Sequence, residues 1–133
     1  MLPTPNAEIN KCIEMPVDYF SALGNLHDAK ISLMEWNPIR KQATITVNDL
    51  YSNFYGLPEY PGQTPVCLTA FDVSALEMKI MTDRFPVRIQ DFEVDELSSG
   101  PGWCILVNCT SSGSIRIVCQ SLACSAIGKV ETT

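Results

Sequence analysis

The chain has 133 residues, of which 46% are hydrophobic, a length and composition that fit one domain with a single core of ordinary marginal stability. Nine Lys and Arg stand against fifteen Asp and Glu, a formal net charge of -6, which disfavours nucleic acid and anionic membrane surfaces and favours a basic partner. The start, MLPTPNAEINK, lacks a basic segment followed by an apolar run, and no stretch approaches the roughly 20 apolar residues a bilayer crossing needs, so the expectation is a cytoplasmic protein with no membrane partner.

Residues 1–14 carry Pro3, Pro5 and scattered polar residues and read as a loosely ordered arm. Pro16 suits a first helical turn and Asp18 its positive end; Val17, Phe20 and Leu23 recur every three residues, and Gly24 offers a stop. This predicts a short helix of about two turns that needs a sheet to hold it. From Ala29 the period changes to two: Ile31 and Leu33 alternate with Lys30, Ser32 and Met34 up to Trp36, Asn37-Pro38 breaks the strand, and 42–48 returns with Ala43, Ile45 and Val47 on one face. Residues 49–65 hold three prolines, two glycines and three tyrosines, too much punctuation for a strand and too many aromatics for a slack linker, so an ordered loop is expected.

Residues 66–73 and 76–81 read as further strands, with a turn at Asp83-Arg84. In the segment from Pro86, Val87 and Ile89 share one parity and Phe92 and Val94 the other, and a bulge near Gln90-Asp91 restores one apolar face. After a Ser/Gly/Pro turn at 98–102, the stretch from Trp103 to Ala123 forms two apolar runs joined by Ser111-Ser112-Gly113, a hairpin signal. With Cys109 facing Ile115, Val107 facing Ile117 and Ile105 facing Cys119, one face is continuously apolar. The tail from Gly128 is polar. The predicted fold class is mainly β: an antiparallel meander of about seven strands forming a twisted sheet, sandwich or partly closed barrel, with one short N-terminal helix, in a single domain spanning 1–133.

Six cysteines, at 12, 67, 104, 109, 119 and 124, are expected to be reduced thiols in this compartment. In the hairpin register above, Cys104 lies opposite Gln120 and Cys109 opposite Ile115, so no cross-strand pair joins two sulfurs. The five-residue spacings put neighbouring cysteines on opposite faces rather than around one ion. Buried cysteines acting as small hydrophobes are the plainer reading, and no metal is expected.

Leu26-His27-Asp28-Ala29 entering a strand, Asp49-Leu50 followed by Asn53-Phe54-x-Gly56-Leu57-Pro58-Glu59-Tyr60-Pro61-Gly62, and the I-x-D-F-E-V of 89–94 resemble segments of small bacterial β-rich proteins, some of them similar to immunity proteins of polymorphic toxin systems. The likeness spans roughly residues 26–122. It implies an all-β fold and a protein that works by binding another protein, and it carries over no functional residue.

His27 is the only histidine, so any histidine-centred chemistry must use it. Asp28 beside it would point to the opposite face of a strand, and a hydrogen bond to a local backbone group is the plainer role. Asp49 and Asn53 suit a cation or a sugar but equally suit turn capping. No phosphate loop, nucleophile elbow or nucleotide fingerprint occurs. No catalytic, cofactor-binding or metal-binding residue is therefore proposed. Trp36 and Trp103 are expected in the core. The leading expectation is a non-enzymatic protein-binding module, immunity-like and toxin-neutralising, acting through an acidic, aromatic-bearing surface on a basic partner. Phe54 and Leu57 would anchor the 49–65 loop to the sheet, while Tyr51, Tyr55, Glu59 and Tyr60 would meet the partner. The alternative is a small-ligand-binding protein or enzyme with a pocket between the sheet and that loop.

Overall fold

The computed structural model describes residues 9–81, 86–110 and 113–127. Among the described residues, nine strands, β1 (Lys11–Cys12), β2 (Lys30–Asn37), β3 (Gln42–Val47), β4 (Val66–Phe71), β5 (Ala75–Ile80), β6 (Val87–Glu96), β7 (Trp103–Cys109), β8 (Gly113–Cys119) and β9 (Ser121–Ala126), join one α-helix, α1 (Pro16–Ala22). They form one antiparallel sheet in the order β1-β9-β4-β3-β2-β6-β7-β8-β5. The sheet is open, with β1 and β5 at its edges, and it departs from a seven-strand meander in two ways. Neighbours β2 and β6, β4 and β9, and β5 and β8 are distant in sequence. The final run is also two strands rather than one, because β8 turns a corner at Gln120 into β9 while β4 turns at 72–74 into β5. Hydrogen bonds from Gln120 N to Phe71 O (3.0 Å) and from Ser74 N to Val118 O (2.8 Å) hold the two corners together.

The inward rows of these strands make one core: Ile31, Ala43, Ile45, Val47, Val66 and Leu68 meet Ile89, Phe92, Ile105, Val107, Ile115 and Ile117, all buried. Helix α1 covers β6, with the Phe20 and Phe92 ring centroids 4.5 Å apart. Burying each such ring contributes about 1.5–3 kcal/mol, which is what keeps so short a helix formed. Leu23 is buried with Phe20, whereas Val17 is exposed; the three-residue spacing does not keep all three on one face over two turns. Gly24 ends the helix at φ +68, in the left-handed region, and a Cβ there would overlap the Asn53 side chain.

The bulge in β6 is present where the parity switch places it: the register shifts between Ile89 and Asp91, and Val87, Ile89, Phe92 and Val94 are all buried. A second bulge, in β2 between Ile31 and Leu33, turns Leu33 outward opposite Thr46 and brings Met34 opposite buried Ile45. Trp36 shares the inward side with Ala43 but lies at the strand's end and is largely exposed, unlike Trp103, which packs on the core.

In the β7–β8 hairpin the expected face is correct and the register is two residues off: Val107 pairs with Ile115, Ile105 with Ile117, and Cys109 with Gly113. Cys104 accordingly faces Val118 rather than Gln120. Position 113 requires glycine, since its φ is +129 and a Cβ would collide with the Lys79 carbonyl oxygen of β5. All six cysteines are free, with Cys109, Cys119 and Cys124 buried. Burial pushes the Cys119 thiol up to about 11, with Cys104 adding to the shift, and raises Cys109 and Cys124 as well.

Of the arm expected at 1–14, residues 9–14 are described and lie against β9. Asn10 N and Ile13 N donate to Cys124 O (2.6 Å) and Leu122 O (2.8 Å), and Ile13 is buried. Residues 1–8 of that arm, the Asp83-Arg84 turn, Ser111-Ser112 and the tail from Gly128 lie outside the described residues. Among the described residues no helix is long and apolar enough to cross a membrane.

Candidate functional site

The 49–65 segment is an ordered loop built around one buried carboxylate. Asp49, at the end of β3, is only 5% exposed. Its Oδ1 accepts hydrogen bonds from Tyr51 N (3.1 Å) and Thr64 N (3.0 Å), and its Oδ2 accepts one from the Tyr60 hydroxyl at 2.6 Å. Taking a carboxylate out of water is costly unless hydrogen bonds replace its hydration, and these three donors do so while binding both ends and the middle of the loop to one point. Leu50 N donates to Thr64 O (2.8 Å), closing the loop's base. A short 3-10 turn, Ser52–Phe54, starts the outward leg, and Tyr60 N returns to Leu57 O (3.1 Å).

Tyr60 is held as a neutral donor. Its phenol is pushed from an ordinary 10 up to about 12, first by the hydrogen bond to Asp49, then by burial and by the charges of Asp49 and Tyr55. Its ring backs that of Tyr55 edge-on, with centroids 5.5 Å apart and planes at 78°. Tyr55 itself is 78% exposed, so the loop presents one aromatic ring to solvent and fixes it from behind.

The loop does not distribute its residues as the sequence predicts. Of the four expected partner-facing residues, Tyr55 is at the surface, Glu59 and Tyr60 are half-buried, and Tyr51 is 6% exposed and part of the core. Tyr51 thus belongs to the core cluster, while its N–H donates to the Asp49 carboxylate. Of the two expected anchors, Phe54 packs on the core, but Leu57 is 48% exposed. The turn-capping role expected of Asp49 is present in its bond from Tyr51 N, two residues on; its burial and its hold on Tyr60 and Thr64 go beyond that expectation, because an Asx residue ahead of a turn is shared by many exposed positions.

Between this loop and the ends of β2 and β3 lies a cleft of about 660 Å³, lined by Asp28, Lys30, Asn48, Asp49, Ser52, Asn53, Tyr55, Tyr60 and Gln63. Asn48 is fixed by accepting from Lys30 N at 2.7 Å, Ser52 Oγ donates to His27 O (3.1 Å), and Gln63 Nε2 donates to Asn48 O (3.4 Å). The walls thus mix amide donors and acceptors, one ammonium and one exposed carboxylate beside the Tyr55 ring.

His27 sits at the rim. Its Nδ1 lies 2.7 Å from the Gln90 carbonyl oxygen at the β6 bulge: the partner is backbone, but 63 residues away rather than local as expected. Asp28 has φ +71 rather than a strand conformation, so its Oδ1 comes within 3.7 Å of His27 Nε2 and 3.6 Å of Arg88 Nε. All three side chains are about half exposed, where such ion pairs contribute little, about 0–1 kcal/mol. Among the described residues no group of three His, Cys, Asp or Glu is placed to hold a metal ion.

No protein-family model matches the chain, and no curated protein matches it.

Proposed function

We propose that this chain is a non-enzymatic protein-binding module whose recognition surface is the 49–65 loop with the adjoining cleft, Tyr55 being its anchor. The observation that carries the reading is the combination at Tyr55: an aromatic ring 78% exposed, yet held by Tyr60 and through it by buried Asp49. A ring already fixed in place loses little freedom on binding, and tyrosine is among the residues that dominate interface energetics. Leu57 adds exposed apolar area beside it and Glu59 a carboxylate. The net charge of -6 favours a basic protein as partner. The resemblance of 26–29, 49–62 and 89–94 to small bacterial β-rich proteins, some of them similar to immunity proteins, supports a toxin-neutralising role for that contact. Affinity capture from the source cells with the parent and with Tyr55→Ala tests this: a basic protein retained by the parent and lost with the variant is the expected outcome, and capture indifferent to Tyr55→Ala refutes the assigned surface.

The cleft favours a second reading, a small polar ligand bound between sheet and loop, since about 660 Å³ lies within the usual range for such sites. Chemical-shift changes of the Asn53 and Gln63 side-chain amides on titration with sugars or amino acids would support it, and unmoved signals would remove it.

A further inference from the structure

Strand β5 is the long open edge of the sheet: it pairs with β8 on one side, and no described residue pairs with the other, whereas the opposite edge, β1, is only two residues long. An exposed edge without proline or bulge is a template for another strand. The residues of β5 say which strand fits. Leu76, Met78 and Ile80 lie on the inward side, facing Ile117, Ile115 and Gly113, but the edge leaves them incompletely covered, and Met78 is 52% exposed. Glu77 and Lys79 lie on the outer side, 3.9 Å apart and exposed.

We propose that β5 pairs antiparallel with β5 of a second copy of this chain, about a two-fold axis at Met78, joining the two sheets into one. A two-fold axis through such a pair keeps each face continuous, so outer residues must meet outer residues. Centred on Met78, the register sets Glu77 opposite Lys79 of the second copy twice, Leu76 opposite Ile80 twice, and Met78 opposite itself. Centred one residue earlier, it sets Glu77 against Glu77; one residue later, Lys79 against Lys79. Only the Met78 register is complementary in both charge and apolar character. Six residues per strand make a small contact, so the dimer is weak and reversible.

Sedimentation velocity over a concentration series tests it. The parent should associate reversibly. Lys79→Glu makes the outer row of β5 wholly acidic and Glu77→Lys makes it wholly basic, so each variant alone should associate at least about tenfold more weakly. An equimolar mixture of the two should regain association, because every acidic residue then faces a basic one. Lys79 faces Ser114 within its own chain, so Lys79→Glu should keep its melting temperature and decides the matter even if Glu77→Lys, which faces Arg116, is destabilised. A parent that stays monomeric up to about 1 mM, a Lys79→Glu variant that associates like the parent, or a mixture of folded variants no tighter than either alone overturns the proposal.

Discussion

Replacing Tyr60 by Phe isolates the contact that fixes the 49–65 loop. The ring and its edge-on contact with Tyr55 remain, the base of the loop stays closed by Leu50 N and Thr64 O, and only the 2.6 Å hydrogen bond to Asp49 is lost. Asp49 keeps its two backbone donors but, at 5% exposure, cannot recover the third from bulk water. Hydrogen bonds to charged groups contribute about 1.5–3 kcal/mol, which for a domain of this length corresponds to a melting temperature lower by roughly 5–12 °C. An alkaline signature should accompany it. Because the phenol is raised from 10 to about 12 in the folded chain, folding favours its neutral form. The corresponding stability is intact below about pH 10 and falls away as pH rises through about 12. Thermal melts of parent and variant, with tyrosinate absorbance followed through the same pH range, measure both. A variant melting within about 1 °C of the parent, with the late-titrating tyrosine still present, would refute the role assigned to this pair.

Ile117 is buried and Arg116 exposed on β8, so Ile117→Asp should prevent folding through an unpaired buried charge, at a cost above about 4 kcal/mol, while Arg116→Asp should cost about 1 kcal/mol or less; circular dichroism melts compare them. Native thiol labelling should modify exposed Cys12 first and leave Cys109, Cys119 and Cys124 unmodified until denaturant is added, when six thiols per chain should count.

Parity was the informative signal in this sequence, and it worked where a switch was read as a switch. In β6 the change between Ile89 and Phe92 placed the bulge. The same symptom occurs twice more. In β2, Ile31 and Leu33 share one parity while Met34 and Trp36 share the other, and apolar residues in both rows let the wrong one be taken as inward. Between Cys119 and Leu122 the parity also changes, marking the corner that separates β8 from β9. Period two determines which face a residue takes but not which residue it meets, hence the two-residue slip in the β7–β8 register. Strand β1 has two exposed residues and no pattern to read. The loop's aromatic density was legible as order. Its division into a buried Tyr51, a tethered Tyr60 and an exposed Tyr55 was not, because Tyr60 is tied to the Asp49 carboxylate, whose burial no local pattern announces.

On the proposed function, Tyr55 meets a partner protein and Asp49 and Tyr60 hold its ring in place. The most direct measurement is the dissociation constant of the captured partner for the parent and for Tyr55→Ala, with melting temperatures taken alongside. Affinity weakened at least about tenfold, with a melting temperature within about 2 °C of the parent, is the expected result; unchanged affinity in a Tyr55→Ala chain that folds normally would contradict the account.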